Sequence, residues 1–324
     1  MIHALFLLAA GSITLIFGAW GAAGLRALHR RRRLTLEHAL ARPYTDILGT
    51  AMRPRENLSH IRFPRLRESG ARRLLAEIAG ELSSVLYGRE RDRIARLVRR
   101  EGIDRFLLAR AARSCGSNRA RWLRTLSALP LGERTQRLVE RYEYDADREV
   151  RFSALVCRIA HHPDTVKHAV ETYAFPLDTL EVTEIALLLR DRFVPENTAL
   201  GLLDSAARPG RLLGLAVVRL LGMREAVPAV YQLCTGPDPA VRFPALSTLS
   251  DLHASLDDPR VVRAVSDLSE PLRRRFYRRV VAEGYSLHAL RKFLELERDG
   301  FLCEYLRRLV ISRKRMLRQR TART

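Results

Sequence analysis

Two stretches of this chain follow the same nine-residue pattern, and this repetition restricts the possible folds more than any other feature. The pattern, D-x-x-V-R-F-x-A-L, begins at Asp147 and again at Asp238. Three steps of about 30 residues fit the interval between them, and about 30 residues is enough for two short helices with their turns. The motif residues to which we assign a structural role are Asp147, Val150, Arg151, Asp238, Val241 and Arg242.

Helix-like segments recur between and around the two copies of the motif. They are anchored at positions 121, 151, 181, 211, 242 and 273, which are almost evenly spaced, and an earlier one begins near Arg91. The segments at 181 and 211 lack the leading aspartate, so their exact register stays open. One helix pair cannot bury its own apolar stripe, so units of this kind are stable only when stacked.

We therefore predict an all-α fold, in which an α-solenoid of helical hairpins occupies residues 68–306. No segment shows a convincing strand-like alternation of apolar and polar residues. Amphipathic helices predicted over 68–87 and 301–310 suit the two ends of the stack, which need caps. The motif aspartate can cap the free N–H groups at a helix start. The arginine one turn later can pair with that aspartate or with an acidic residue of a neighbouring unit.

The repeated motif resembles that of HEAT repeats, particularly the short bacterial kind. That family carries D-x-x-V-R-x-x-A-x-x-x-L at the start of the second helix of each unit. The match is good from Asp147 and from Asp238, partial in the other units, and extends over roughly residues 90–300. Most HEAT proteins are scaffolds and adaptors, so the resemblance implies that this chain binds a protein partner on the concave face of the solenoid.

The N-terminal segment has the features of a membrane anchor. Residues 2–25 contain no charged side chain, and a helix of that length spans roughly 36 Å against a hydrocarbon core of about 30 Å. An indole ring near one end favours the headgroup level, and a cluster of arginines follows, which places that end in the cytoplasm. The predicted membrane-interface residues are Trp20, Arg26, Arg30, Arg31, Arg32 and Arg33.

This pattern predicts a single-pass inner-membrane protein with its N-terminus outside and its C-terminal domain in the cytoplasm. A cleaved signal peptide and a buried helix of a soluble protein are the alternatives, although a signal peptide needs basic residues before its apolar stretch. Thr14, Gly18 and Ala22 share one face of the segment. They could let two spans pack closely into a homo-oligomer, or they could reflect only the small-residue content of membrane helices.

The net charge of +21 is concentrated in two segments. Residues 26–67 hold eleven arginines against three acidic residues, a net charge of +8, and we interpret them as a basic juxtamembrane connector punctuated by prolines. Residues 307–324 hold eight basic residues and no acidic one, and form a basic tail. That tail could contact lipid headgroups or nucleic acid, or be a disordered end. The rest of the chain is close to balanced.

The sequence offers no residue set for catalysis. Cys157, His161, His162 and His168 form the only cluster that resembles metal ligands, and a turn with solvated histidines explains them better. The acidic stretch at 140–149 is typical of a solvated turn between helices. Phosphate-binding glycine loops, nucleophile elbows and zinc-protease motifs are all absent from the sequence. We therefore predict that the chain is not an enzyme and holds no cofactor or metal.

The resulting functional hypothesis is a membrane-anchored HEAT-like scaffold that holds a protein partner at the cytoplasmic face of the membrane. By analogy alone, it could be an accessory subunit of an envelope complex. Its span and basic flank would contact membrane lipids. One alternative is a nucleic-acid-binding protein like the HEAT-like alkylpurine DNA glycosylases, but the balanced body of the chain argues against that. Another is a HEAT-like chromophore lyase, which would need a tetrapyrrole pocket.

Overall fold

A computed structural model describes residues 31–321, except residues 32, 33, 37, 54, 55, 87, 193, 284 and 286. Every regular element in this part of the chain is helical, and the described residues contain no β-strand. The prediction of an all-α fold is confirmed. Residues 38–52 form a first helix, α1, and residues 34–36 are helical as well.

The other helices are short and follow one another closely. They are α2 (Ser69–Val85), α3 (Gly88–Arg100), α4 (Ile103–Ala112), α5 (Gly116–Ala128), α6 (Glu133–Glu140), α7 (Arg148–His161), α8 (Val166–Thr172), α9 (Thr179–Asp191), α10 (Glu196–Leu203), α11 (Arg208–Leu221), α12 (Val227–Cys234), α13 (Pro239–Asp251), α14 (Pro259–Ser266), α15 (Glu270–Ala282), α16 (Leu287–Leu296) and α17 (Gly300–Thr321).

The helices divide into two compact units, one ending at Cys157 and the other beginning at Arg158, within α7. The core of the first unit includes residues from the segment predicted to be a connector. Leu40, Tyr44 and Leu48 on α1 are buried with the apolar residues of α2, α4 and α5. This segment is therefore part of a folded core.

The phenol of Tyr44 fixes the chain that follows α1. Its hydroxyl donates a hydrogen bond of 2.7 Å to the carbonyl oxygen of Pro64, and its ring meets Phe63 edge-on. Burial, together with the negative charge of Glu68, raises the pKa of Tyr44 to about 12. The phenol is therefore uncharged at neutral pH and acts as a hydrogen-bond donor inside the unit.

The second unit is built from two rows of helices. In one row α11 packs on α9, α13 on α11, α15 on α13 and α17 on α15. In the other, α10 packs on α8, α12 on α10 and α14 on α12. Adjacent helices along the chain, such as α10 with α11 and α12 with α13, pair as hairpins between the rows. This order of contacts is compatible with an α-solenoid. We refer to α9, α11, α13, α15 and α17 as the odd row.

Close contacts between the rows depend on small residues. A Cβ atom added to Gly214 on α11 would come within 2.9 Å of the backbone nitrogen of Leu203 at the end of α10. On α13, residues 245–250 are all buried, and three of these six are serine or threonine. Small side chains let the helices approach closely on several sides of α13.

The described part of the chain contains no helix that is both long enough and apolar enough to cross a bilayer. This finding contradicts the predicted localisation as a single-pass inner-membrane protein, and we correct that prediction here. The longest described helix, α17, is too polar, since it carries Arg307, Arg308, Arg313 and Lys314. The predicted span itself, residues 2–25, lies outside the described residues.

Most of the residues predicted to contact the membrane also lie outside the described part of the chain. Arg31 is the one predicted interface residue that the structure describes, and it is exposed at a helical position before α1. The predicted residues that lie outside the described part are Thr14, Gly18, Trp20, Ala22, Arg26, Arg30, Arg32 and Arg33.

The basic C-terminal segment begins within a helix. The predicted boundary between residues 306 and 307 falls inside α17, which continues to Thr321. The apolar residues predicted to form a cap, such as Leu302 and Leu306, are buried on this same helix. The cap and the start of the basic segment are therefore one element.

Candidate interaction surface

The two motif aspartates lie at helix starts. Asp147 accepts hydrogen bonds from the backbone N–H groups of Glu149 and Val150, at 2.8 and 3.2 Å. Asp238 accepts one from the N–H of Ala240 at 3.0 Å. Each carboxylate satisfies helix donors that have no partner inside the helix. The motif valines, Val150 and Val241, are buried in the helix packing.

The two motif arginines reach different partners. The guanidinium of Arg151 donates to the carbonyl oxygens of Asp145 and Ala146, at 2.8 and 2.9 Å, in the turn before its own helix. Arg242 instead lies 3.7 Å from the carboxylate of Asp267, which precedes the next helix of the odd row. Of the two partners that the sequence allowed, Arg242 therefore has the acidic residue of a neighbouring unit.

Arg242 belongs to a series of ion pairs that join successive helices. In each, the fourth residue of a helix is an arginine that pairs with a carboxylate just before the helix two further along the chain. The distance is 3.4 Å for Arg211 and Asp238, and 3.2 Å for Arg273 and Glu297. In the first unit, Arg119 on α5 pairs in the same way with Asp145.

The sequence series placed the α5 unit at residue 121, whereas the structure places Arg119 at the equivalent position, the fourth of its helix. The sequence signal that could have identified Arg119 is its separation from Asp145 along the chain. That separation is close to those of the Arg211–Asp238 and Arg242–Asp267 pairs.

Asp238 is paired with two arginines. Arg208 donates to its Oδ2 at 2.7 Å in addition to Arg211, and only 12% of the aspartate side chain is exposed. Desolvation by burial raises its pKa, but the Arg208 hydrogen bond, the Ala240 N–H and the two arginine charges outweigh it and hold the pKa of Asp238 below its usual range. The carboxylate is therefore charged at neutral pH.

The cluster around Cys157 has the geometry of a packed helix. Cys157 is buried, and burial, aided by the nearby Glu143 carboxylate, raises the pKa of its thiol well above its usual range. A thiol binds metal as a thiolate, which this environment disfavours. Within the described residues, no group of three or more histidine, cysteine, aspartate or glutamate side chains is placed to hold a metal ion.

A cavity of about 660 Å³ lies between α14, α15, α16 and the turn that precedes α17. Its polar wall is already bonded internally. Glu297, whose side chain is 5% exposed, accepts a 2.6 Å hydrogen bond from the hydroxyl of Tyr277 and two of 3.1 Å from the backbone N–H groups of Arg298 and Asp299. Burial and the Glu297 hydrogen bond raise the pKa of Tyr277. These groups connect α15 to the turn between α16 and α17.

A different arrangement lies on the surface of the odd row. The guanidinium of Arg275 on α15 lies over the ring of Phe243 on α13, 5.2 Å from its centre. The guanidinium of Arg274 lies over the rings of Phe301 and Tyr305 on α17, at 5.5 and 5.1 Å. We call these five residues the arginine–ring row. It crosses three adjacent helices of the second unit.

The arginine–ring row is open to solvent. Arg274 and Arg275 are exposed, and Phe301 is 58% exposed although it is a large apolar residue. Among the residues that the structure describes, neither guanidinium has a carboxylate within ion-pair distance. Sequence reasoning did not identify the row, because its members come from three helices that are separated along the chain. The one available signal was the phenylalanine that follows the arginine in both copies of the motif.

No protein-family model matches the sequence of this chain, and no curated protein matches it.

Proposed function

We propose that this chain is a non-catalytic, HEAT-like scaffold that binds a protein partner through the arginine–ring row of its second unit. The observation that carries the proposal is the set of exposed guanidiniums stacked on aromatic rings across α13, α15 and α17. Arginine and aromatic residues dominate the energetics of protein interfaces, where they form the central contacts.

The helix packing beneath the row supports the same proposal. Phe276 on α15 is fully buried beside the exposed Arg275, and Leu302 on α17 is fully buried beside the exposed Phe301. The row therefore stands on rigid elements that pack against one another. A surface that is held in shape before binding loses less conformational freedom on association, which favours affinity.

Site-specific photo-crosslinking in an extract of the native cells tests this function. The full chain carries benzoylphenylalanine in place of Phe301 or, as a control, in place of Leu180, which is 80% exposed at the start of α9. We expect a protein adduct from position 301 that is absent from position 180. Adding Arg274→Glu and Arg275→Glu should abolish it.

Two results would contradict the proposal. One is an adduct pattern that is the same from both positions and unchanged by the two charge reversals. The other is an adduct at position 301 that consists of nucleic acid, which would instead support the nucleic-acid alternative.

A further inference from the structure

We infer that the arginine–ring row recognises an acidic segment of its partner, with carboxylates bound by Arg274 and Arg275 and an apolar side chain packed on Phe301. The inference rests on the proposed function and adds the chemistry of the partner. It is argued from three other arginines of this chain that stack on a ring and also bind a carboxylate.

At three other places among the described residues, an arginine stacked on a ring also binds a carboxylate. Arg260 lies 4.9 Å from the centre of the Tyr231 ring and donates to both carboxylate oxygens of Asp258, at 3.0 and 2.8 Å. Arg73 lies over the ring of Trp122 and donates to Glu77 at 2.7 Å.

The first unit provides a third example. Arg119 lies 5.4 Å from the centre of the Tyr142 ring and also pairs with Asp145. In all three examples the ring holds the face of the guanidinium while its N–H groups, which lie in the plane, reach the carboxylate.

Arg274 and Arg275 have the ring but not the carboxylate. No hydrogen bond or ion pair within the described residues uses either guanidinium, so their N–H donors face solvent. Stacking on the rings limits the conformations of two long side chains before any ligand arrives, which reduces the entropy lost on binding. A carboxylate supplied by a partner would complete the arrangement seen at Arg260.

The α17 side of the row adds an apolar contact. Phe301 is 58% exposed beside Tyr305, and both rings lie under Arg274. An exposed aromatic ring next to a free cation suits a segment in which an apolar residue adjoins acidic ones. Charge complementarity therefore favours an acidic, partly apolar peptide segment as the ligand of the row.

The surroundings of the row disfavour a nucleic-acid backbone. Two acidic residues are connected to the row: Asp267 pairs with Arg242, which precedes Phe243 in the chain, and Glu304 precedes Tyr305 and lies 3.0 Å from Arg308. A duplex carries one negative charge for about every 1.7 Å of its axis, so its phosphates would meet these carboxylates. A short segment with a few carboxylates can meet the two free guanidiniums and avoid both acids.

Fluorescence anisotropy with a defined probe tests the inference. The probe is a short fluorescein-labelled peptide of glutamates around one phenylalanine, titrated with the purified full chain. Arg274→Gln with Arg275→Gln should weaken binding about tenfold or more, and Phe301→Ala should also weaken it. Neither guanidinium forms a hydrogen bond or an ion pair within the described residues, so the glutamine variant should fold and keep the wild-type circular dichroism spectrum.

The matched control is Arg263→Gln with Arg291→Gln, which removes two exposed charges from α14 and α16. This variant should bind the peptide as the wild type does. Equal loss in both double variants would show that only net charge matters and would overturn the inference. So would stronger binding of a labelled single-stranded oligonucleotide, or of a phosphoserine peptide, at the same salt concentration.

The outcome separates this inference from the proposed function. If the acidic peptide fails to bind while the cross-link from position 301 persists, the acidic character is wrong and the protein-binding function stands. If both fail, the proposed function is wrong as well.

Discussion

Arginine side chains meet three kinds of partner in this chain, and each partner uses the guanidinium differently. On α3, Arg93 and Arg100 donate to the carbonyl oxygens of Ala51 and Ile61, at 2.6 and 2.7 Å, and hold the segment after α1. A second group pairs with carboxylates of following helices, as Arg273 does with Glu297. A third group lies on aromatic rings. Lysine has no planar fork of donors, so it could not stack flat on a ring and bind a carboxylate through two parallel N–H groups as arginine does.

Replacing Asp238 with alanine tests the second group at a single residue. The change removes the cap of α13 and the partner of Arg208 and Arg211. We expect the free energy of unfolding at neutral pH to fall by about 1–2 kcal/mol, measured by urea unfolding followed by circular dichroism. Asp204→Ala, at an exposed position, should change it by less than about 0.5 kcal/mol.

The loss should depend on pH in a defined direction. Because the folded pKa of Asp238 is below its ordinary value of 3.8, its stabilising contribution is complete above that value and disappears as the pH falls through the folded pKa. The wild type and Asp238→Ala should therefore converge in stability at strongly acidic pH. A difference that stays constant down to that pH would contradict the assignment of the ion pairs.

At the residue scale, the sequence predicted only contacts between residues that are close together in the chain. The capping position of the motif aspartates follows from their place before an apolar helical stripe, and the structure has Asp147 and Asp238 in that geometry. To predict the partner of Arg242, one would need to know the position of a turn that lies beyond the whole of the following helix, α14. To predict the arginine–ring row, one would need the spacing of three helices, and no local sequence pattern contains that information.

Two of the described helices contain a proline in their interior. Pro43 lies within α1, and Pro244 lies within α13. Each removes a backbone donor, but each helix buries a long apolar surface that offsets the loss. On α1 the buried residues Leu40, Tyr44 and Leu48 are spaced four apart, a period that does identify the helix.

Two glycine-to-alanine substitutions should have opposite effects on stability. At Gly214 the new Cβ would come within 2.9 Å of the Leu203 nitrogen, so we expect a loss of about 1–3 kcal/mol. At Gly201 on α10 no atom lies within 4 Å of the new Cβ, so we expect a gain of about 0.5–1 kcal/mol from helix propensity.

Urea unfolding of both variants checks this pair of glycines. A stable Gly214→Ala variant would mean that α10 and α11 are further apart than described.

At the scale of the whole chain, the repeat series predicted the helical fold but not its division. The series runs without interruption through positions 121, 151 and 181, so it indicates no boundary, yet the first compact unit ends at Cys157 within α7. The fourth residue of α9 is Val182, where the other units of the series have an arginine. Charge was informative only in part, because the basic connector segment packs into the first unit through its apolar residues.

Arginine footprinting tests most directly the claim that the arginine–ring row is a protein-binding surface. Phenylglyoxal modification, read by mass spectrometry, is compared between the full chain in an extract of its own cells and the same chain after purification. We expect Arg274 and Arg275 to be protected in the extract and reactive when purified, while Arg263 and Arg291 react equally in both. Equal reactivity of Arg274 and Arg275 in the two samples, or protection confined to Arg263 and Arg291, would contradict it.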